Sequence, residues 1–190
     1  MENFKTHLNK FITINDEEFA SIISFFEVLK VKKKQDLMIS GDVCDSMYFV
    51  VNGCLRKFFI NEKGVEQTTE FAIENWWITD TFAYERQIKS DFNIQSVEHS
   101  EILIITHDFQ EKLLQKHPIM ERYFRMIYQR AYAASERRIR YLYELSREEL
   151  YVHFSTQYPW FIQRIPQYLI ASFLGFTPEY LSEIRAKLRS

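Results

Sequence analysis

The stretch IPQYLIASFLGFTPEYLSEIRAKL, residues 165–188, carries the most specific pattern in this sequence. Pro166 suits the first turn of a helix, where no backbone N–H is needed, and this helix ends before Gly175. Glycine adopts the left-handed conformation of a tight turn without strain. Thr177 is a favoured N-cap for a second helix, and Pro178 fits the first position of that helix. The stretch therefore predicts two helices joined by a tight turn.

Residues of suitable size stand where two helices that cross at a sharp angle would touch. Ala171 is small enough to permit a close crossing, and Leu181 and Ile184 fill the corner between the helices. The apolar positions of the stretch are Ile170, Ala171, Leu174, Phe176, Leu181, Ile184 and Leu188. This arrangement predicts a helix-turn-helix whose second helix enters the major groove of DNA. An ordinary helical hairpin remains the alternative, because such pairs also occur in proteins that bind no DNA.

The surface of this helix pair offers candidate DNA contacts. With Leu181, Ile184 and Leu188 facing the core, the exposed side of the second helix consists of Pro178, Glu179, Ser182, Glu183 and Ala186. Phosphate contacts give position and affinity rather than sequence preference. Their candidates are Gln167, Tyr168, Thr177, Arg185, Lys187 and Arg189. The alternative for the cations at the helix end is that they complement the helix dipole in solvent.

A long helix is predicted immediately upstream. Between Pro118 and Ser146 the chain contains neither Gly nor Pro. A heptad seam steps by four and three residues through Met120, Phe124, Ile127, Ala131, Ala134, Arg138, Tyr141 and Leu145. Such a seam favours packing against another helix, and the small Ala131 and Ala134 permit close approach of a symmetric partner. We therefore predict a homodimer through Met120, Phe124, Ile127, Ala131 and Ala134. The alternative is a helix packed on its own β domain.

The N-terminal half follows the two-residue period of β-strands. Residues 12–30 first show helical spacing behind the N-cap Asn15. From about Val28 to Thr106 about eight short β-rich runs alternate with turn residues. Asn52-Gly53 and the loop 61–64 are predicted hairpin turns. Together these runs predict a β sandwich or barrel, followed by a short helix over 108–114.

Composition and charge exclude several classes of protein. The 190 residues carry a net charge of −2 and are 46% apolar, which argues against intrinsic disorder. No apolar run approaches the roughly 18 residues of a membrane span, and the N-terminus lacks a signal-peptide layout. We therefore expect a cytoplasmic protein without membrane contact. Residues 1–136 are net −5 and residues 137–190 net +3. This is a layout common in sensors joined to a nucleic-acid-binding end, although a solvated helix face explains it equally well.

The chain offers little material for catalysis or for a cofactor. Its four glycines are too scattered for a P-loop or a dinucleotide-binding turn. Cys44 and Cys54 lie outside the CxxC spacing of a cluster site, and a redox pair is their alternative to plain thiols. His99 and His107 are the only histidines within residues 31–110, too few for a metal-dependent enzyme of the cupin type. We predict no enzymatic activity, no metal and no cofactor.

The order of these pieces resembles the Crp/Fnr (catabolite activator-like) family of bacterial transcription regulators. Gly41-Asp42, the run YFVVNG over 48–53 and the turn at Gly64 resemble the strand-and-turn framework of that family, and 165–188 resembles its helix-turn-helix. The resemblance implies an α+β chain in three parts. These are a cyclic-nucleotide-binding-like β-roll (a double-stranded β-helix) over 1–115, a central dimerisation helix over 116–146, and a helix-turn-helix domain over 147–190.

The resemblance also locates an effector pocket, from which this sequence departs. Family members that bind cyclic nucleotides use a Gly-Glu pair for the ribose and an Arg for the phosphate. Here Thr79 and Asp80 stand at the pair, and Ser90-Asp91 at the Arg and its neighbour. A Ser-Asp pair repels a cyclic phosphate, so we expect no tight binding of cyclic AMP. The candidate pocket comprises Trp76, Trp77, Thr79, Asp80, Arg86, Lys89 and Ser90. The two tryptophans either fill it or line an apolar site for an unidentified small-molecule effector.

The second helix of the motif departs from the family as well. Members of the family contact base edges there with a Glu and an Arg. Glu179 matches the Glu, which accepts a hydrogen bond from cytosine N4. Glu183 replaces the Arg. The β-wing of the family is not evident in residues 150–163, which are typical of an aromatic helix. We predict a dimeric DNA-binding regulator with a degenerate effector pocket. The alternative is a ligand-sensing or protein-interaction module that has lost specific DNA binding. The operator, the effector and the direction of regulation stay open.

Overall fold

The computed structural model describes residues 2–188, which form nine helices and eight strands. The helices are α1 (Glu2–Leu8), α2 (Asp16–Ile23), α3 (Thr81–Arg86), α4 (His107–Lys116), α5 (Ile119–Glu144), α6 (Arg147–Gln157), α7 (Pro159–Arg164), α8 (Gln167–Leu174) and α9 (Pro178–Lys187). The strands are β1 (Glu27–Val31), β2 (Asp36–Met38), β3 (Ser46–Asn52), β4 (Leu55–Ile60), β5 (Glu66–Ala72), β6 (Trp77–Ile78), β7 (Asn93–Ser96) and β8 (Ser100–Thr106). Among these helices none is both long enough and apolar enough to cross a membrane.

The strands form two four-stranded antiparallel sheets, which confirms the predicted β domain. One sheet has the order β1-β8-β3-β6 and the other the order β2-β7-β4-β5. The predicted hairpin at 61–64 joins β4 and β5. The predicted hairpin at Asn52-Gly53 is wrong, because β3 and β4 belong to different sheets. The chain instead crosses from one sheet to the other at Gly53, whose φ of +108° permits the sharp corner.

The N-terminal segment contains more than the predicted helix. Asn15 caps α2 in a capping box with Glu18, as its position predicted. The helix ends at Ile23, however, and residues 27–31 pair with β8 as strand β1. Backbone pairing with β8 replaces the end of the predicted helix, although only Val31 of β1 is buried. Helix α1 was not predicted, and its Phe4 is fully buried in the interior of the roll.

The structure has two apolar cores, and the sheet β2-β7-β4-β5 contributes residues to both. The larger core fills the roll and includes residues of α1, α2 and the start of α5. The smaller core lies between the C-terminal helices and the outer face of the roll, from which Cys54, Phe71 and Val97 contribute. The ring of Phe71 packs 5.1 Å from that of Phe161 and 5.3 Å from that of Phe173. The C-terminal helices therefore pack directly on their own β domain.

Helix α5 has the predicted length, but most of the predicted heptad seam faces its own chain. Met120 and Phe124 are buried in the core of the roll and are out of reach of a partner. Ile127 packs half-buried against the same core, and Arg138 bonds to β5 and α8. Ala131 and Ala134 are exposed. The alternative interpretation, a helix packed on its own β domain, therefore describes Met120, Phe124 and Ile127, and a contact through Ala131 and Ala134 stays a prediction.

A second stripe of α5, apolar at three of its four positions, lies in solvent. Tyr132, Ser135, Ile139 and Leu142 are exposed and step by three and four residues, which places them on one helical face. We call these four residues the outer stripe. The adjacent Tyr143 is 90% exposed. A continuous stripe of this kind is the pattern of a helix that packs against a partner helix.

Candidate functional site

The structure brings Thr79, Asp80 and Ser90 together at the start of α3. Asp80 is buried and caps α3, with its Oδ1 accepting the amide of Ala83 at 3.4 Å. Its Oδ2 accepts the Ser90 hydroxyl at 2.7 Å. The hydroxyl of Thr79 donates to the carbonyl of Ser46 at 2.9 Å. The chain itself thus occupies both oxygens of the carboxylate that stands where the family places its ribose ligand.

The other four predicted pocket residues lie elsewhere. Trp77 belongs to the main core, where its Nε1 donates to the Tyr123 hydroxyl at 2.7 Å. Trp76 is half exposed on the surface. Arg86 is exposed and its guanidinium stacks 4.3 Å from the Phe82 ring, and Lys89 is exposed as well. Trp77 therefore fills the interior, whereas both cations are exposed to solvent.

Lys57 is a functional candidate that the sequence analysis missed. Its ammonium donates to the carbonyl of Thr79 at 2.8 Å and lies 2.7 Å from the carboxylate of Glu70. It also lies 5.5 Å from the Phe92 ring. The alternation of Leu55, Lys57 and Phe59 along β4 is the signal that places this side chain on the inner face. The roll thus holds a largely buried cation beside the candidate pocket, already paired within the chain.

Neither cysteine has the environment of a reactive thiol. Cys44 and Cys54 are both buried. Burial raises the pKa of Cys54 to about 12 and also raises the pKa of Cys44, whose sulfur lies 3.3 Å from the Thr79 hydroxyl. Thiolate is the reactive form, so both side chains behave as plain apolar groups at neutral pH. Within residues 2–188 no three side chains of the His, Cys, Asp and Glu types are placed to hold a metal ion.

The C-terminal helix pair, α8 and α9, has the predicted turn. Helix α8 ends at Gly175, which has a φ of +78°, and the Thr177 hydroxyl caps α9 by accepting the amide of Tyr180 at 3.2 Å. Ala171, Leu181 and Ile184 are buried between the helices. The prediction that Leu188 faces the core is wrong: this residue is 56% exposed, because α9 ends at Lys187. The predicted exposed residues of α9 are in solvent: Pro178, Glu179, Ser182, Glu183 and Ala186.

The candidate phosphate contacts differ in their surroundings. Thr177 is exposed, Tyr168 is half exposed, and Arg185 is half-buried. Lys187 is exposed and its ammonium lies 2.9 Å from the carboxylate of Glu148 on α6. Gln167 is half-buried, and its amide donates to the carbonyl of Ile162 at 3.3 Å. Arg189 lies outside the described residues.

The segment that precedes the helix pair is helical. Helices α6 and α7 cover almost all of residues 147–164, and only Tyr158 separates them. Ser146 caps α6 in a capping box with Glu149. The predicted aromatic helix therefore stands where the family carries its β-wing.

Comparisons with known proteins agree with this architecture. Residues 28–117 match the family model of the cyclic nucleotide-binding domain. No curated protein matches the sequence. The solved structure of FixK2 from Bradyrhizobium japonicum is 14% identical, covers 86% of this chain and 84% of its own, and superposes with a TM-score of 0.70.

Two further solved structures are similar over most of their length. The c-di-GMP responsive global regulator CLP from Xanthomonas campestris is 13% identical, with 92% of each chain covered and a TM-score of 0.69. A putative transcriptional regulator of the Crp/Fnr family from Eubacterium rectale is 15% identical, covers 93% of this chain and 84% of its own, and has a TM-score of 0.69. Identities this low establish a shared fold. The chain thus has a cyclic-nucleotide-binding-type β-roll followed by a long helix, and its resemblance to the Crp/Fnr regulators is confirmed.

Proposed function

We propose that this protein is a DNA-binding transcription regulator that acts as a homodimer. The observation that carries the proposal is the helix pair α8–α9, whose two helices are joined by a tight turn and whose second helix exposes Pro178, Glu179 and Ser182 to solvent. In such motifs the N-terminal residues of the second helix contact base edges in the major groove. The similar solved structures include regulators of transcription, which supports this choice among the functions of helix pairs.

The candidate contact residues of the helix pair and the C-terminus divide into two roles in this proposal. Glu179, Ser182 and Glu183 face the base edges, where a carboxylate accepts from cytosine N4. Tyr168, Thr177, Arg185, Lys187 and Arg189 contact phosphates. Lys187 exchanges the carboxylate of Glu148 for a phosphate on binding. Gln167, whose amide is already bonded to the Ile162 carbonyl, holds the start of α8 in place.

The outer stripe of α5 supplies the dimer contact in this proposal. Two copies that pack Tyr132, Ile139 and Leu142 against each other would remove exposed apolar area from water. A two-fold dimer presents two equivalent helix pairs to two half-sites, which matches the symmetry of a palindromic operator. Ala131, which is exposed beside the stripe, permits close approach of the two helices.

The pocket of the roll does not bind cyclic nucleotides in this proposal. Asp80 is bonded to Ala83 and Ser90, and Lys57 is bonded to Thr79 and Glu70. A cyclic nucleotide would have to displace these bonds without finding an arginine for its phosphate. If a small molecule regulates the protein, it is of another chemical class.

A second candidate function is a ligand-sensing or protein-interaction module that has lost specific DNA binding. The observation that favours it is the charge of α9, where Glu179 and Glu183 both stand on the exposed face. Two carboxylates oppose the approach of phosphates, and Lys187 is paired with Glu148.

Selection of DNA from a random-sequence pool distinguishes the two functions. The purified chain is mixed with the pool at moderate salt without added ligand, and we expect enrichment of a two-fold-related site. Arg185→Ala should then weaken binding to all sequences about alike and reduce the salt slope by about one. Glu179→Ala should relax the preference at one base pair. No enrichment, with or without cyclic AMP, would favour the interaction module.

A further inference from the structure

We propose that the C-terminal helix pair is held on strand β5 of its own roll by a polar clamp, and that this clamp has to open before the helix pair binds DNA. The inference rests on the proposed function and adds a means of regulating it. The clamp consists of Ser172 on α8, Arg138 on α5 and Arg164 on α7, with their partners on the roll.

Ser172 joins α8 to the free edge of a sheet. Strand β5 is the last strand of its sheet, so one side of its backbone has no strand partner. The hydroxyl of Ser172 accepts the amide of Thr68 at 2.8 Å and donates to the carbonyl of Glu66 at 2.8 Å. A single side chain thus satisfies two backbone groups that the sheet leaves unpaired, and it fixes α8 on the strand.

Arg138 connects three elements at once. Its guanidinium donates to the carbonyl of Thr69 on β5 and, at 2.8 Å, to the carbonyl of Phe173 on α8. It also stacks 3.9 Å from the Phe173 ring. The long helix, the strand and the helix pair are therefore held together by one half-buried cation.

Arg164 forms the charged part of the clamp. Its guanidinium donates to both carboxylate oxygens of Glu74, at 2.7 and 2.8 Å, and to Glu98 at 2.9 Å. Burial alone raises the pKa of Glu74, but the bonds from Arg164 and from the Gly53 amide lower it to about 2. The three side chains are about one-quarter to one-third exposed, so solvent and salt reach this contact.

The clamped position conflicts with a bound duplex. A groove of about 460 Å³ separates the β4–β5 hairpin from the helix pair. One wall contains Val65 and Glu66, and the other contains Tyr168, Thr177 and Glu179. Because phosphates contact the N-terminal ends of α8 and α9 in the proposed function, the duplex would enter this groove and meet the hairpin. The helix pair has to leave β5, or the hairpin has to move.

The same strand also reaches the pocket region of the roll. Glu70 on β5 pairs with Lys57, and Lys57 donates to the carbonyl of Thr79 next to the start of α3. A change at α3 therefore has a direct bonded route to the strand that carries the clamp. This route gives the roll a means of setting the strength of the clamp.

A reversible disulfide across the clamp tests the proposal. The hydroxyl oxygens of Thr68 and Ser172 are 3.3 Å apart, a separation that suits a cross-link in the variant Thr68→Cys/Ser172→Cys. We expect the oxidised variant to bind the selected DNA at least ~10-fold more weakly than the reduced variant, because the competent state is no longer populated. Each single-cysteine variant should show no such redox effect. Equal affinity of the oxidised and reduced forms would overturn the proposal.

A second variant tests the clamp without DNA. Glu74→Gln/Glu98→Gln removes both charges but keeps an acceptor for the amide of Gly53. We expect faster hydrogen exchange of the α8 amides, unchanged exchange in β3 and β8, and tighter DNA binding. The matched control Glu111→Gln/Glu121→Gln changes the same charge at exposed positions away from the clamp and the hairpin. Unchanged exchange in α8 would contradict the clamp, whereas failure of the wild-type chain to select any DNA would contradict the proposed function.

Discussion

Gly53 stands at the corner where the chain leaves one sheet for the other. Its φ is +108°, and a Cβ built there would lie 2.2 Å from the Ser100 hydroxyl oxygen and 2.7 Å from the Ser100 Cα. We expect Gly53→Ala to lower the free energy of unfolding by more than ~2 kcal/mol, because backbone strain and a backbone clash add. Urea titration measures the loss. Gly41→Ala is the matched control, since its φ of +99° brings strain without a neighbour within 4 Å. Equal losses of unfolding free energy in the two variants would mean that Ser100 moves away from the added Cβ at little cost.

His7 makes the stability of the protein depend on pH. The imidazole is 6% exposed and packs between the rings of Phe49 and Tyr123. Burial, followed by the charges of Lys10 and Arg130, lowers its pKa to about 4. The unfolded chain, with an ordinary pKa near 6.5, takes up the proton first. The folded state therefore loses up to ~1.4 kcal/mol per pH unit from this group as the pH falls from about 6.5 to about 4.

Urea unfolding of the wild type and of His7→Phe at several pH values between 7 and 4.5 measures this contribution. The phenylalanine keeps an aromatic ring in the same packing site and removes the titrating group. We expect the variant to lose less stability on acidification than the wild type does. Parallel curves for the two proteins would show that His7 does not titrate on unfolding.

Some individual residues of the site were predictable and others were not. Thr79, Asp80 and Ser90 were placed together by their positions in the resemblance, and in the structure Ser90 donates a hydrogen bond to Asp80, the neighbour of Thr79. The carboxylate partners of Arg164 are far away in the sequence, at Glu74 and Glu98. Pairing of that kind leaves no local pattern, because it depends on which surfaces meet after the domains have formed.

At the scale of the element, periodicity predicted helix α5 but assigned Met120 and Phe124, which are buried in the core of the roll, to a partner. Apolar spacing shows that one face is covered, and it does not show which body covers it. The charged seam member Arg138 was the available signal, since a guanidinium in a seam needs acceptors such as the carbonyls of Thr69 and Phe173. The turn between α8 and α9 was predicted more accurately, because Gly175 and Thr177 act through their own backbone and side chain.

The outer stripe of α5 yields a prediction about oligomeric state. Ile139→Glu or Leu142→Glu places a charge in the proposed helix–helix contact, where it would be desolvated without a partner. We expect sedimentation to show monomers for these variants and dimers for the wild type. Ala133→Glu, which changes the charge in the same way at an exposed position on the opposite side of α5 from the stripe, should remain dimeric. If Ile139→Glu keeps the wild-type mass, the stripe is not the dimer contact.

At the scale of the whole molecule, the order of parts was predictable and their docking was not. The long helix α5 follows the roll and precedes the C-terminal helices in the predicted order, and the boundaries at 116 and 146 stay a prediction. The second core, in contrast, combines Phe71 and Val97 of the roll with residues of α6 to α9. Each of these apolar residues also suits the interior of its own domain, so nothing in the sequence marks them as a contact between domains.

The roll is a domain of the cyclic nucleotide-binding type, but the side chains that would hold a nucleotide are already bonded within the chain. This leads to a prediction about the intact protein. Ligand that binds only the folded state raises the free energy of unfolding by RT ln(1 + [L]/Kd), and the melting temperature rises with it. Asp80 is used by Ala83 and Ser90, and Lys57 by Thr79 and Glu70. We therefore expect the melting temperature to be the same with and without cyclic AMP or cyclic GMP at about 1 mM, a concentration that would raise it for any Kd well below that value.

AMP is the matched control in that experiment, because it carries the same base and ribose without the cyclic phosphate. A rise with cyclic AMP that exceeds the rise with AMP would show that the Asp80–Ser90 bond opens to admit the nucleotide. In that case Ser90→Ala, which frees Asp80 Oδ2 from its 2.7 Å bond, should strengthen the effect. The other outcome is that neither nucleotide changes the melting temperature of the wild type or of Ser90→Ala. Freeing the Asp80 carboxylate would then not be enough to restore binding, and the missing arginine would be what excludes cyclic nucleotides.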